Sequence, residues 1–366
     1  MKIKDIAAAV EKIVPLKLAQ SWDNVGLLIG DANRNVKNIL LTIDITADVL
    51  AEAKKLKTEL IISYHPVIWD GLKKITSDDV VYELIRCGIA VFSIHTALDA
   101  VAGGVNDGLA EIIGICNAEP IGDYVDNPAE NKYKLVVFVP AGSAAKVSNA
   151  VFAAGAGAIG NYSHCGFSAE GTGSFKPLEG SRPAIGKKGK LERVKEIRFE
   201  TIIPAEKLNA VVAAMKEAHP YEMPAFDIIK IHNEGKFGLG RIGELEKPMR
   251  INRIIERIKR YTGARAVGIV GDKNRLVKRA AVCAGACGKI INLVIAAGCD
   301  LYLTGELKHH QAMAAQEAGL TCLCLSHTVS ERFILQKFAR QLRKQIKEAT
   351  INISKEDKDP FEWKNL

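Results

Sequence analysis

The sequence lacks the features that mark several classes of protein. No apolar stretch is long enough to span a membrane, and the first residues show no cleavable signal pattern, so we expect a cytoplasmic protein with no membrane partner. The eight cysteines include no CxxC pair of the kind that binds structural zinc. Most of them lie in apolar segments, so we expect buried, reduced thiols that pack in cores rather than bind a soft metal.

The composition is that of an ordinary globular protein. The 366 residues are 48% hydrophobic and 25% charged, which is enough chain for two or three domains with large cores. The net charge of +8 is mildly basic, and much of it lies in residues 250–265 and 332–347, which resemble polar faces of amphipathic helices. Such faces are usually only solvated, although nucleotide phosphates and nucleic acid stay open as partners.

A strand followed by a helix start provides the first candidate site. Residues 321–325 form a short apolar run that predicts a buried strand, and residues 331–338 show a helical pattern. His327 and Glu331 are four residues apart, so an imidazole and a carboxylate project from one face of the helix start. Open α/β sheets place ligands at such strand ends, although a solvated helix start with an incidental histidine gives the same local pattern.

The same pattern occurs earlier in the chain. Residues 88–99 again run from a strand into His-Thr-x-x-carboxylate, with His95 in the place of His327 and Asp99 in the place of Glu331. This second copy favours a functional role for the His327 segment over an incidental histidine.

The match also extends upstream. Residues 36–65 align without gaps with residues 277–306, with few identities but the same alternation of strand, helix and strand. We therefore predict an α/β protein with two related halves whose strand-end loops face a shared cleft. The alternation of strands, helices and turns that is common to α/β proteins could, however, mimic such a repeat. In the first half, His65 follows a predicted strand at residues 60–63, and Pro66 stiffens its loop, which suits a ligand.

A different type of fold interrupts the repeat. The polar run at residues 122–132 indicates a domain boundary. We predict an inserted ferredoxin-like α+β domain at residues 129–234, between the core halves at residues 1–128 and 235–366. Residues 155–173 look like a glycine-rich loop, and His219, like the other histidine of the insert, is interpreted as an ordinary loop residue.

Several segments together carry a resemblance to a known family. They are residues 21–26, 64–66, 95–99, 304–310 and 326–331. In order and spacing, over nearly the whole chain, they are similar to the Nif-three-like dinuclear-metal family, whose members are often named GTP cyclohydrolase I type 2 homologues. The insert, with residues 219–224, resembles the PII-like or CutA-like domain of the longer bacterial members. The resemblance implies a toroidal homohexamer with two divalent metal ions per subunit in the cleft.

The resemblance also implies a set of metal ligands. The family's His-His-Pro motif corresponds to Tyr64 and His65, its His-Thr-x-x-Asp motif supplies Asp99, and its last motif supplies His327 and Glu331. Tyr64 departs from the family pattern, because a phenol must lose a proton of pKa about 10 before it binds a metal well. Either a bound metal lowers that pKa and Tyr64 coordinates, or one metal site is weak, water-filled or empty.

This ligand set supports hydrolytic chemistry. Mixed imidazole and carboxylate ligands suit Zn, Mn, Fe or Ni, and a metal pair can activate water near neutral pH. The resemblance points to the purine ring of GTP as the group opened by that water. We expect Glu306, His309 and His310 to transfer protons or orient ligands, and His95 to fix loop geometry.

Two other functions fit the same residues. One is a metal-dependent phosphoesterase that acts on nucleotides. The other is a non-enzymatic ring that stores metal, regulates or binds nucleic acid, with an insert that senses a small molecule. Formate release by metal-reconstituted protein would indicate ring opening and phosphate release a phosphoesterase, whereas a non-enzymatic ring would show no turnover.

Overall fold

The chain forms two compact units. The computed structural model describes residues 1–122, 132–231 and 237–362. One unit comprises Met1–Val125 with Gly235–Leu366, and the other is Asp126–Glu234. A continuous segment is thus inserted into a discontinuous unit. The two boundaries predicted from the sequence, after residues 128 and 234, lie outside the described residues.

Helices and strands alternate along most of the chain. The first part of the discontinuous unit contains α1 (Ile3–Glu11), β1 (Gly26–Ile29), β2 (Asn38–Thr42), α2 (Ala47–Lys55), β3 (Leu60–Ser63), α3 (Val80–Arg86), β4 (Ala90–Ser93), α4 (His95–Ala100), α5 (Val105–Ile113) and β5 (Ile115–Ile121). The insert contains β6 (Lys132–Pro140), α6 (Ala144–Ala153), β7 (Gly166–Phe175), β8 (Glu192–Pro204), α7 (Leu208–Ala218) and β9 (Phe226–Ile231). The second part contains β10 (Gly240–Arg250), α8 (Ile251–Thr262), β11 (Gly268–Val270), β12 (Leu276–Cys283), α9 (Ile291–Ala296), β13 (Leu301–Thr304), α10 (His309–Glu317), β14 (Thr321–Cys324), α11 (His327–Arg332), α12 (Ile334–Gln345) and β15 (Thr350–Ile353).

The discontinuous unit contains two sheets of matching construction. One has the strand order β1-β4-β3-β2-β15 and the other β11-β14-β13-β12-β10-β5. In each sheet three consecutive strands run parallel (β2, β3 and β4; β12, β13 and β14), and an antiparallel strand covers the last of them. The strands β3, β4 and β13 are buried along their whole length, as expected for parallel strands covered on both faces. The predicted pair of related α/β halves is confirmed.

The two halves share one hydrophobic core. A single buried cluster contains Leu41 and Ile62 from the first sheet and Val282 and Leu303 from the second. A buried amide also ties the halves together: Asn106 donates to the Leu239 carbonyl and accepts from the amide of Ala284 at 2.7 Å. Because these contacts fix one half against the other, the loops at the strand ends of both sheets keep fixed positions relative to each other.

The insert is a ferredoxin-like domain. Its antiparallel sheet has the order β7-β8-β6-β9, and the chain order of its elements is β-α-β-β-α-β. Helices α6 and α7 pack on one face of this sheet through Val147, Val151, Val211 and Met215. The expectation of a loop at residues 155–173 was wrong in part, because β7 pairs with β8 along its whole length. Its glycines and exposed side chains conceal the strand in the sequence.

Several other features of the structure were not predicted from the sequence. Strands β5 and β15 and helix α10 were not predicted, and β15 reaches the first sheet from the far end of the chain to pair with β2. Cys283 and Cys287 are joined by a disulfide, so the expectation of reduced thiols was wrong for these two cysteines. In the described ranges, no helix combines the length and the apolar composition that crossing a membrane requires.

Candidate metal centre

His65 is held at the carboxyl end of β3 by its backbone and by its ring. Its amide donates to the Ile43 carbonyl at 3.0 Å, so the residue continues the hydrogen-bonding pattern of the sheet. On the ring, Nδ1 lies 2.8 Å from Oδ1 of Asp44, which follows β2. This contact leaves Nε2 directed away from Asp44 and available to a ligand.

His327 is held in the same manner in the second half. It begins α11, and its Nδ1 lies 2.8 Å from Oε1 of Glu306, which follows β13. Its Nε2 lies 3.2 Å from Oε1 of Glu331, one turn further along the helix. The predicted i, i+4 pair of imidazole and carboxylate is therefore present in the folded chain.

The two halves meet at Glu331. Oε2 of Glu331 lies 3.4 Å from Nε2 of His65, while Oε1 faces His327. Ligand atoms of these three residues all lie within 4.8 Å of one another. The Glu331 side chain is only 5% exposed, and its buried Oε2 has no hydrogen-bond partner among the described residues. A buried carboxylate oxygen without a donor is costly, so the position suits a cation.

A glycine allows this close approach. Gly285 has a φ of +66°, and a Cβ there would lie 2.6 Å from Oε1 of Glu331 and 3.2 Å from Nε2 of His327. Its amide also donates to the Ser330 hydroxyl at 2.9 Å, which anchors the turn to α11. Any larger residue at this position would both strain the backbone and displace the ligand atoms.

The electrostatics of the cluster favour positive charge. The hydrogen bond with Glu331 and the nearby Glu306 raise the pKa of His327 to about 9, despite the opposing effect of burial. Burial lowers the pKa of His65, but Asp44 and Glu331 outweigh it and raise the pKa overall. Without a metal, protons therefore neutralise the carboxylates, and a bound cation would replace those protons.

Tyr64 and Asp99 form a buried pair beside the cluster. The Tyr64 hydroxyl donates to Oδ1 of Asp99, and the Tyr64 side chain is fully buried. Burial, together with the charges of Asp99 and Glu331, raises the pKa of Tyr64 well above 10, so it stays a neutral phenol. Burial and the Glu331 charge also raise the pKa of Asp99, to about 7. Of the five residues predicted as ligands, the structure gathers three around one point and pairs the other two next to it.

His95 is engaged elsewhere. Its Nδ1 lies 2.8 Å from Oδ1 of Asp23, which also accepts from the amide and hydroxyl of Thr96. Burial raises the pKa of Asp23, but these contacts with His95 and Thr96 outweigh it and lower the pKa overall. Trp69 packs edge-on against the His95 ring, with the two ring centroids 5.1 Å apart. His95 thus joins the segment before β1 to α4, in the structural role expected from the sequence.

The three residues predicted to act in catalysis differ in position. Glu306 contacts His327 directly. His309 and His310 begin α10 and are exposed, and in the described part of the chain no hydrogen bond or ion pair joins either to the cluster.

Sequence reasoning missed Asp44 and Gly285. An acid directly after a predicted strand was a usable signal for Asp44, whereas nothing local distinguished Gly285 from other turn glycines.

Comparisons with known proteins agree over the whole chain. The profile of the Duf34/NIF3 (NGG1p interacting factor 3) family matches residues 1–360. Proteins named GTP cyclohydrolase 1 type 2 homolog are 36% identical over 360 residues in Halalkalibacterium halodurans, covering 96% of both chains, and 37% identical over 367 residues in Bacillus subtilis, covering 98% of this chain and 97% of the relative. A Bacillus cereus crystal structure described as related to NIF3 has 38% identity and a TM-score of 0.69, with 99% of each chain covered. The chain therefore belongs to the Duf34/NIF3 family.

Proposed function

We propose that this protein is a metal-dependent hydrolase whose metal is held by His65, His327 and Glu331. One observation supports the proposal above all others. Residues from the two halves of the core meet with their ligand atoms within 4.8 Å of one another, around a buried carboxylate oxygen that accepts no hydrogen bond among the described residues.

The hydrogen bonds of the two histidines fit a metal site. Each ring directs Nδ1 to a carboxylate, Asp44 or Glu306, at 2.8 Å, and directs Nε2 towards Glu331. Histidines that bind metals usually donate their other ring N–H to a carboxylate or carbonyl, which fixes the tautomer and the orientation of the ring. Two imidazoles and a carboxylate are a ligand set that accepts Zn, Mn, Fe or Ni.

The chain's own residues have distinct tasks in this proposal. A bound divalent ion would supply a Lewis acid that lowers the pKa of water towards neutral pH. Asp44 and Glu306 orient the two imidazoles, and Gly285 leaves room for the ligand atoms. Asp99 is the proposed carboxylate ligand of a second ion. Tyr64 weakens that second site, because its phenol donates to Asp99 instead of binding a metal itself.

The proposed substrate is GTP, whose purine ring would be opened by hydrolysis. This choice rests on the family resemblance and on the name of the relatives, GTP cyclohydrolase 1 type 2 homolog. The proposed assembly is the toroidal homohexamer that the resemblance implies. Light scattering of the purified chain should then give a mass six times the 39.7 kDa of the subunit.

The test of the activity is turnover by reconstituted protein. The full chain is loaded separately with Zn²⁺, Mn²⁺, Fe²⁺ or Ni²⁺ and incubated with GTP, and both formate and phosphate are measured. Formate release that disappears in Glu331→Gln and persists in Glu348→Gln, a substitution of an exposed glutamate, supports the proposal. Phosphate release without formate would replace ring opening with phosphoester hydrolysis, and no product with any metal would refute catalysis on GTP.

Metal analysis tests the site independently of the substrate. We expect Glu331→Ala to lose most of the bound metal and Asp99→Ala to lose the second ion, with both variants still folded by circular dichroism. Full metal content in both variants would remove these carboxylates from the site, whatever the enzyme assays show.

A further inference from the structure

The inserted domain contains a cavity that the proposed hydrolase does not use. It has a volume of about 600 Å³, within the usual range for small-molecule sites. The side chains of β8 alternate between the two faces of the sheet, and Phe199 packs in the core with α6 and α7. Glu196 and Arg198 line the cavity, and Arg198, next to Phe199, points to the opposite face from the helices. The cavity is therefore on the open face of the sheet.

Tyr221 and Glu222 line one side of this cavity, and His219 lies directly before them in the chain. His219 contacts the Phe138 carbonyl through Nε2 at 3.0 Å and accepts the Tyr221 amide at Nδ1, also at 3.0 Å. Burial lowers the pKa of His219, which favours the neutral ring that these two contacts require. Glu222 accepts the amide of Arg182 at 3.0 Å and so holds the opposite loop. The hydrogen bonds of His219 and Glu222 thus fix the backbone on both sides of the cavity, although Glu222 itself is exposed.

A buried carboxylate lies in the cavity. Glu196 is only 9% exposed, and its Oε1 accepts the Tyr221 hydroxyl at 3.0 Å. Its Oε2 lies over Gly173, where a Cβ would come within 2.0 Å of it. No cationic side chain pairs with Glu196 among the described residues, because the nearby Arg198 is paired with Glu200 at 2.8 Å. A carboxylate with this burial favours a positively charged partner.

Much of the remaining lining is suited to an organic group, although Lys176 and Arg182 also contribute to it. Phe138, Phe175, Met223 and Ala225 contribute apolar surface, and the Phe175 and Tyr221 rings pack edge-to-face with centroids 5.5 Å apart. Aromatic faces attract cations as well as apolar groups. A bare metal ion would find only one buried carboxylate there, because the other two carboxylates of the lining, Glu170 and Glu222, are exposed.

We propose that this cavity binds a small organic cation, in which a primary ammonium group pairs with Glu196 and an aromatic or aliphatic body packs against the Phe175 and Tyr221 rings. The site is separate from the candidate metal centre and does not depend on the proposed hydrolysis. It gives the inserted domain a ligand class of its own.

The test compares two probes that differ only in charge. Tryptamine and indole-3-propionate carry the same ring on the same two-carbon chain, ending in an ammonium and a carboxylate respectively. Isothermal titration of the full chain should show saturable binding of tryptamine and at least about tenfold weaker binding of indole-3-propionate. Equal binding of both probes, or no binding of tryptamine at millimolar concentration, would overturn the proposal.

Three variants locate the site. Glu196→Gln should weaken tryptamine binding at least about tenfold, whereas Glu170→Gln, which removes a less buried lining carboxylate, should change it less than about twofold. Phe175→Ala should weaken binding severalfold, since it removes an apolar wall and leaves Glu196 in place. Tryptamine binding that is unaffected by both Glu196→Gln and Phe175→Ala would place the ligand elsewhere and exclude this cavity. The comparison of probes on wild-type protein stands even if a variant fails to fold.

Discussion

The two halves of the core are built alike, but residues at matching positions in them have different chemical roles. His65 and Glu306 both follow the middle parallel strand of their sheet, yet His65 points a ring nitrogen at the buried carboxylate, while Glu306 supports a histidine. His95 and His327 both begin the helix after the third parallel strand. His95 binds Asp23, whereas His327 faces Glu331. A duplicated fold therefore carries a site that is not duplicated.

The two halves also differ by one residue in the length of the connection between the third parallel strand and the helix that follows it. Only Ile94 separates β4 from α4, whereas Leu325 and Ser326 separate β14 from α11. The amide of His95 donates to the Tyr64 carbonyl, and the matching bond in the second half, to the Gly305 carbonyl, comes from Ser326. Ser326 adopts a φ of +80°, an unusual conformation outside glycine. Counted from the end of the preceding strand, His327 therefore starts its helix one residue later than His95 does.

The largest expected effect tests whether the halves contribute equally to the metal centre. Asp44→Asn and Glu306→Gln should each weaken metal affinity by about 10–100-fold, because each loses the group that orients a ligand imidazole. Competition with a chelator measures the affinity, and the exposed Asp48→Asn and Glu317→Gln serve as matched controls. A loss in only one of the two variants would show that a single half holds the metal.

Proton competition should give the next largest effect. The pKa of His327 is raised to about 9, so below that pH a metal ion must displace a proton. Apparent metal affinity should rise about tenfold per pH unit from pH 7 and level off above about pH 9. Chelator competition at constant ionic strength measures this slope. In Glu306→Gln the plateau should begin at lower pH, and an affinity independent of pH would contradict the assignment of His327.

The substitution Tyr64→His tests whether the first half can supply a second imidazole. The substitution supplies the histidine that the family resemblance implies there and removes the phenol from Asp99. We expect the bound metal to rise towards two ions per subunit by elemental analysis. Tyr64→Phe, which removes the hydroxyl but adds no ligand, is the control. An unchanged metal content in Tyr64→His would mean that this position does not limit the second ion.

The smallest effect concerns a feature that both halves keep. Glu59 accepts the amides of Lys37 and Asn38 at 2.6 and 3.2 Å, and Asp300 accepts those of Lys278 and Arg279 at 2.8 and 3.2 Å. Glu59→Ala and Asp300→Ala should each lower the free energy of unfolding by about 2 kcal/mol, since two backbone donors lose an acceptor. Urea denaturation measures the change. Metal affinity should not change, and a large change in it would show that these bonds also shape the site.

Much of the fold was predictable because buried parallel strands leave continuous apolar runs. The range of β3 was predicted to the residue, and that of β14 to within one residue at its end. Strand β7 was missed because its glycines and exposed residues do not alternate. Strand β15 gave no local sign of the sheet that it joins, because its partner β2 lies at the opposite end of the chain.

The candidate site was predictable in its residue types but not in its pairings. His65, His327 and Glu331 were identified from strand ends and helix spacing, and the structure brings them together. The partnership of Asp44 with His65 and the close approach of Gly285 could not be derived. Both depend on how two sheets pack, and no spacing along the chain encodes that packing.

The sequence by itself determined the repeated α/β pattern, the insertion and the residue types of the candidate metal site, because periodic burial and strand-end positions are local properties. Only the tertiary structure decided which histidine faces Glu331 and which carboxylate orients each ring. These choices arise where the two halves share one core, since close packing there holds residues far apart along the chain, such as His65 and Glu331, in fixed positions.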